Sequence, residues 1–168
     1  MVSVAFSNFI EIIHDGIDIQ HVKDLSSSDI SPGGMTALYD AMGGCISRME
    51  KVPVAAYDDV AYLFTVFTDG QENASSKITR NMLKEKMAEL DRLDNWTCVF
   101  MGSDQGAVLD ARDLGTHHFM SFAADKSGVS AAYVSNTEGI ESFMRSRSSG
   151  VKSIKTYGGY FKESTTDG

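Results

Sequence analysis

Three polar segments could carry chemistry, because each lies beside an element expected to be buried. Asp69 and Gly70 follow the apolar run YLFTVF and Thr68, and Ser103 and Asp104 follow the run WTCVFMG. The third segment, residues 33–36, reads GGMT and leads into a helical pattern. A carboxylate or hydroxyl at the C-terminal edge of a buried strand is well placed to bind a ligand or a metal ion. It is also a common way to begin a turn.

The periodicity of the apolar residues predicts the elements that position these segments. Two nearly continuous apolar runs, 60–68 and 96–101, are typical of parallel strands buried on both faces. The expected elements, in chain order, are an antiparallel pair of strands over 2–8 and 9–14, a helix capped by Thr36 and ended by Pro53, a strand over 60–68, a helix over 77–93, a strand over 96–101, a helix over 107–114, a strand over 118–122 and a helix over 129–145. This order predicts an α/β fold with a mostly parallel sheet and helices on both faces.

One domain over residues 1–146 is expected, with a loosely attached tail over 147–168 that carries at most one short strand, at 153–161. The net charge of −8 disfavours binding to nucleic acid phosphates. No apolar run approaches the ~20 residues of a membrane span, and no signal peptide is visible. A cytoplasmic protein is therefore expected.

The remaining reactive side chains do not form a recognisable catalytic set. Cys45 and Cys98 fall on a predicted helix and a predicted strand, where buried free thiols are expected rather than a disulfide. His117 and His118 are adjacent in a predicted strand and should point to opposite faces, which disfavours a shared metal site.

The ordered segments resemble a known family. PGGMTALYDAM resembles the threonine loop of von Willebrand factor A (VWA) domains, and FTVFTDGQENAS resembles their strand that ends in T-D-G. WTCVFMGSDQGAVLDARDLG resembles the strand and helix that follow in bacterial and phage-type members. The resemblance covers roughly residues 2–145 and implies a three-layer, Rossmann-like fold.

The resemblance also implies a site. VWA domains carry a metal-ion-dependent adhesion site, in which a D-x-S-x-S loop, the threonine loop and the aspartate loop surround Mg²⁺ or Mn²⁺. Thr36 would offer a hydroxyl and Asp69 a carboxylate, which are the oxygen ligands that hard cations prefer. Ser103 and Asp104 would lie at the same edge and contact a protein partner.

The chain departs from the family at one loop. In the family, D-x-S-x-S ends a first, central strand that precedes the segment matching VSVAFSN, and this chain begins at that segment. The stretch DLSSS at 24–28 has the spacing, but it follows no buried strand and is interpreted as a polar turn. Thr36 and Asp69 alone are too few ligands for tight magnesium binding, so metal binding is expected to be weak or absent.

The first central strand is therefore missing from the predicted sheet. Three ways to fill this gap in the sheet remain open. The flanking strands could pair with each other, the C-terminal tail or another subunit could donate a strand, or the chain could be part of a longer protein.

Three functions follow from these patterns. The first is a non-enzymatic, VWA-like protein–protein interaction module with a degenerate adhesion site. The second is a metal-dependent hydrolase or phosphoryl-transfer enzyme that uses Asp69. The third is a structural or assembly protein whose sheet is completed by a neighbouring subunit, through homo-oligomerisation or strand donation. The absence of a catalytic set favours the first.

Overall fold

The computed structural model of the chain describes residues 1–24, 26, 33–52, 59–103, 105–155 and 159–161. Its chain divides into two compact units. Unit 1 comprises Met1–Asp58 and Gly70–Leu83, and unit 2 comprises Asp59–Asp69 and Lys84–Gly168. The DLSSS stretch lies largely outside the described residues, as does Asp104.

The alternation of strands and helices predicted from the sequence is confirmed. The strands are β1 (Ser3–Phe6), β2 (Ile10–His14), β3 (Tyr62–Thr68), β4 (Trp96–Gly102) and β5 (His118–Ser121). The α-helices are α1 (Leu38–Glu50), α2 (Arg80–Arg92), α3 (Gln105–Asp113) and α4 (Lys126–Ser148). A short 3-10 helix, Ile19–His21, follows β2.

Unit 1 is built on the predicted hairpin and helix. β1 and β2 pair antiparallel, with Phe6 opposite Ile10 and Val4 opposite Ile12. Helix α1 buries one apolar face that includes Leu38, Met42 and Ile46. That face has the spacing of three and four residues that identified the helix in the sequence.

Unit 2 contains a three-stranded parallel sheet in the order β3-β4-β5. The fold is thus α/β, with a parallel sheet flanked by helices. Alternate residues of β3 point to opposite faces: Phe64 and Val66 are buried on one face, while Leu63 and Phe67 pack on the other against α4 and the tail. The continuous apolar runs of β3 and β4 follow from this double coverage.

Helix α4 begins three residues earlier than predicted, because Asp125 caps it. The Asp125 carboxylate accepts a hydrogen bond from the Gly128 amide at 2.7 Å. The bond from the Gly128 amide, and after it one from the Ser127 hydroxyl, hold the pKa of this carboxyl below its ordinary value. The carboxylate therefore stays charged at the positive end of the helix dipole.

The expectation of a loosely attached tail is wrong near Tyr160, which is only 2% exposed. Its ring lies against Gly139 of α4, and its hydroxyl donates to Oδ1 of Asn136 at 2.9 Å. Upstream, the Ile154 amide donates to the Thr97 hydroxyl at 2.9 Å. The tail adds no strand in its described residues, 151–155 and 159–161, and the rest of the expected short strand lies outside them.

The described strands form two separate sheets, one of two strands and one of three. Closing up of the predicted sheet, one of the three possibilities, is therefore not seen among the residues that the structure describes. In that part of the chain β3 has a single neighbour, β4.

Candidate functional site

The threonine loop of unit 1 is fixed through its backbone. The Thr36 amide donates to Oδ1 of Asn73 at 2.7 Å, and the Thr36 carbonyl accepts from the amides of Asn73 at 3.0 Å and Ala74 at 3.2 Å. The predicted helix cap at Thr36 is wrong, since the cap residue is Ala37, which has no side-chain oxygen. The Thr36 hydroxyl is thus not used as a cap, and it forms no hydrogen bond with any residue that the structure describes.

Glu72 takes over the capping of α1 from a distance. Its Oε2 accepts from the Tyr39 amide in the first turn of the helix at 2.9 Å and from the Ser75 hydroxyl at 2.7 Å. Its Oε1 accepts from the amides of Ala74 at 2.9 Å and Ser75 at 2.6 Å. A carboxylate at this position is also stabilised by the positive end of the helix dipole. Both oxygens of Glu72 are therefore occupied by hydrogen bonds within the fold.

Asp40 ties the same helix to the segment before α2. Its Oδ1 accepts from the amides of Lys77 at 3.0 Å and Ile78 at 2.6 Å, and its Oδ2 accepts from the Ser76 amide at 3.0 Å. Burial alone would raise the pKa of this carboxyl. The three backbone N–H donors outweigh burial and lower the pKa below its ordinary value. Asp40 is consequently a charged structural group rather than a proton donor.

Two close approaches bring further loops of unit 1 together. The Ser7 carbonyl accepts from the Ala37 amide at 2.8 Å. A Cβ on Gly33 would lie 2.6 Å from the side chains of Ser7 and Asn8, and a Cβ on Gly70 would lie 2.9 Å from the Thr36 hydroxyl. Only glycine allows these approaches. The end of β1 and the threonine loop therefore meet.

Asp69 and Ser103 meet in unit 2. The Ser103 hydroxyl donates to the Asp69 carbonyl at 2.9 Å, and the Ser103 amide donates to the Thr68 carbonyl at 3.1 Å. The Ser103 hydroxyl thus contacts the chain itself. The Asp69 side chain is exposed, and its carboxylate forms no hydrogen bond with the described residues.

The donor set fits a hard cation poorly. In the described part of the chain there is no group of three or more His, Cys, Asp or Glu side chains that could hold a metal ion. The resemblance supplies one hydroxyl, from Thr36 in unit 1, and one carboxylate, from Asp69 in unit 2, whereas magnesium takes six oxygen ligands. The oxygens of Glu72 and Asp40 already accept backbone hydrogen bonds.

The histidines and cysteines do not add a reactive centre. His118 is buried, and its Nε2 contacts the Ile154 carbonyl at 2.6 Å. Burial lowers the pKa of this imidazole, which therefore favours the neutral form. Nε2 of His117 lies 2.8 Å from the Asp91 carboxylate. Burial raises the pKa of the Cys98 thiol to about 12, so the thiolate that would act as a nucleophile is not formed at neutral pH.

Glu72 and Asn73 are the structural centre of this loop, and sequence reasoning did not single them out. The one sequence feature that could have identified Glu72 and Asn73 is their position shortly after T-D-G, in a polar loop that precedes a helix. Their partners lie more than thirty residues away, at Tyr39 and Thr36.

The fold and these loops define a class of architecture, an α/β fold with a parallel sheet flanked by helices. No family model, no curated protein and no solved structure matches the chain. In the part of the chain that is described, none of the helices combines the length and the apolar character needed to cross a membrane.

Proposed function

We propose that the chain is a cytoplasmic, VWA-like module that binds a protein partner and catalyses no reaction. The proposal rests on the order of its loops along the sequence and on the state of its acidic groups. Thr36 and Asp69 are its proposed contact points, one in each unit. Ser103 extends the contact beside Asp69, and Asp104, which lies outside the described residues, is included on its sequence position alone.

The observation that carries the proposal is the division of the polar groups into engaged and available ones. The oxygens of Glu72 and Asp40 accept backbone N–H groups, which is a structural use. The Thr36 hydroxyl and the Asp69 carboxylate accept or donate no hydrogen bond within the described residues. An available hydroxyl on a fixed backbone is suited to the recognition of a partner.

The adhesion site is degenerate in this proposal. With the single carboxylate of Asp69, Mg²⁺ or Mn²⁺ would bind in the millimolar range at best, because most of the coordination shell would remain water. The interaction with the protein partner would then depend on direct hydrogen bonds and shape rather than on a bridging ion.

The test is a titration with MgCl₂ and MnCl₂, followed by calorimetry and by NMR of the backbone amides. Paramagnetic Mn²⁺ is expected to broaden the amide signals around Asp69 only at millimolar concentration, and Asp69→Asn is expected to abolish the broadening. Glu85→Gln is the matched control, since it removes an exposed carboxylate from α2. Broadening that persists in Asp69→Asn would contradict the assignment of Asp69.

The enzyme alternative is tested on the same samples with p-nitrophenyl phosphate. No hydrolysis above the Glu85→Gln and buffer controls is expected with either metal. Turnover that is present in the unmodified protein and lost in Asp69→Asn would overturn the non-enzymatic proposal.

A further inference from the structure

The described part of the C-terminal tail packs against the sheet and helix α4 of unit 2. We call this part the tail strap; it comprises residues 151–155 and 159–161. Ile154 and Tyr160 of the strap pack with Val99 of β4 and Phe143 of α4 in one apolar cluster. The strap therefore covers an apolar surface that β4 and α4 form together.

His118 of β5 holds the strap through its imidazole ring. Its Nε2 lies 2.6 Å from the Ile154 carbonyl oxygen, and its ring centroid lies 5.9 Å from that of Tyr160. A carbonyl oxygen only accepts hydrogen bonds, so Nε2 carries the proton and donates. The neutral imidazole has a proton on one nitrogen only, so Nδ1 of His118 is unprotonated. The contact with the strap thus fixes the tautomer of the ring.

The other ring nitrogen, Nδ1, lies where a proton is costly. His118 is only 1% exposed, and its Nδ1 is buried and forms no hydrogen bond with any residue that the structure describes. The ring lines a cavity of about 10 Å³, which has room for about one water molecule at most. Protonation of His118 places an N–H donor and a positive charge at this atom, without the hydration that they need.

The charged groups near His118 are engaged with other partners. The Asp91 carboxylate lies 2.8 Å from Nε2 of His117, so it contacts the neighbouring imidazole. The Lys155 ammonium donates to the Asp94 carboxylate at 3.2 Å and to the Asp91 carbonyl. His117 and His118 are both imidazoles, the side-chain type that ordinarily changes charge between pH 5 and 8. A test must therefore separate these two histidines.

The remaining titratable groups around His118 are neutral or point elsewhere. Burial raises the pKa of the Cys98 thiol in β4 to about 12, and it raises that of the Tyr160 hydroxyl to about 12 as well. Helix α3 also packs on β5, but its Arg112 lies over the Phe119 ring, 4.5 Å from the centroid. Phe119 and His118 are adjacent in the strand and point to opposite faces. The cost of a charge on His118 is therefore not offset by these groups.

We propose that His118 makes the attachment of the tail strap pH-dependent: the neutral ring holds the strap on the sheet, and protonation at mildly acidic pH releases it. When the strap leaves, the ring becomes accessible to water and can carry the charge. Release of the strap and uptake of the proton are therefore linked. Release also uncovers the apolar surface at Val99 and Phe143.

The direction and size of the pH effect follow from this linkage. Burial lowers the pKa of the His118 imidazole while the strap is attached, whereas a water-accessible imidazole has a pKa of about 6.5. Above this pH neither state takes up the proton. Below it the released state is protonated first, so attachment weakens by about tenfold per pH unit until the pKa of the attached state is reached. From about pH 7 to about pH 5.5 the expected change is up to about eightfold.

The experiment is amide hydrogen exchange at a series of pH values between about 7 and about 5.5, corrected for the intrinsic exchange rate at each pH. The Ile154 amide reports on the strap, because it donates to the Thr97 hydroxyl at 2.9 Å. The Phe100 amide, in the middle strand β4, reports on the sheet. Protection of Ile154 is expected to fall by about five- to eightfold over this range, while protection of Phe100 stays within about twofold.

Two variants assign the effect to one imidazole. His118→Gln keeps a side-chain N–H donor for the Ile154 carbonyl but does not titrate, so the pH response at Ile154 is expected to disappear. His117→Gln is the matched control, because it removes the adjacent imidazole, which contacts Asp91. The response at Ile154 is expected to remain in this control.

NMR of the His118 ring in the unmodified protein gives a reading that does not depend on the folding of a variant. The Nε2–H tautomer is expected at pH 7, with a titration midpoint below that of the same residue in the urea-unfolded chain. A midpoint equal to the unfolded one would overturn the proposal, and so would an Ile154 response that is absent in the unmodified protein, kept in His118→Gln or lost in His117→Gln. Equal loss of protection at Phe100 would show that unit 2 opens as a whole, which would also overturn it. The proposal does not depend on the proposed function.

Discussion

Replacement of Asp40 by asparagine is expected to destabilise unit 1 strongly. Asp40 is 8% exposed, and its two oxygens accept three backbone N–H groups from the segment before α2. An asparagine whose oxygen keeps the contacts of Oδ1 presents an amide N–H₂ to the Ser76 amide, which loses its acceptor. An orphaned buried donor costs about 1–3 kcal/mol. Loss of the charge from the remaining bonds adds about 1 kcal/mol.

The expected loss is therefore about 2–4 kcal/mol in the free energy of unfolding. The assay is native-state amide exchange within α1, which reports on unit 1 directly, supported by urea denaturation followed by circular dichroism. A loss of about 3 kcal/mol lowers the protection of these amides by about a hundredfold. Asp18→Asn is the control, because Asp18 also accepts a backbone N–H, at 2.9 Å from the Gln20 nitrogen, but is exposed.

The pH dependence gives the sign of the effect. Because the folded-state pKa of Asp40 is lowered, its carboxylate contributes stability above the ordinary Asp pKa of ~3.9, and this contribution is lost as the pH falls through the folded-state pKa. The difference between the unmodified protein and Asp40→Asn should shrink below about pH 4. A variant within 0.5 kcal/mol of Asp18→Asn at pH 7, a margin of about ±0.5 kcal/mol being usual for surface changes, would refute this account of the Asp40 contacts.

Two further predictions concern unit 2. Gly139→Ala should lower stability in thermal denaturation by about 1–2 kcal/mol, because its Cβ would lie 2.2 Å from the Tyr160 ring and overpacking outweighs the gain in helix propensity. The control is Gly44→Ala in α1, which has open space around its Cβ and should be neutral or stabilising in the same assay. Cys98 should not react with Ellman's reagent at pH 8 until the protein unfolds, because burial raises its thiol pKa to about 12; rapid labelling of Cys98 in native protein would contradict this.

The parts of the fold that depend on local periodicity could be predicted from the sequence. The continuous apolar runs of β3 and β4 indicate strands buried on both faces, and the amphipathic pattern of α1 indicates a helix with one buried face. The strands and helices form where these patterns predict them. The strand ends near Thr68 and Gly102 could likewise be predicted, because the apolar runs stop there. The bounds shifted by a few residues where a capping contact such as that of Asp125 decided the start.

The contacts that join distant segments could not be predicted in this way. Thr36 has the type and position of a helix cap, yet Glu72 caps α1 from 33 residues away. Gly139 reads as a weakness in α4, whereas it makes room for Tyr160, which lies 21 positions later in a segment rich in glycine and lysine. A pattern within one element carries no information on which distant side chain fills the space beside it.

Site-specific photo-crosslinking at Met35 tests the central claim most directly, that the chain binds a protein through its threonine loop. Met35 is 49% exposed and precedes Thr36. The protein would carry a photoreactive residue at this position and be expressed in the cells that normally produce it. One discrete crosslinked protein is predicted, and Thr36→Val should reduce the yield of that crosslink. The same residue at Glu85 on α2 should give none. Crosslinks of equal pattern and yield at both positions, or none at Met35, would contradict the account.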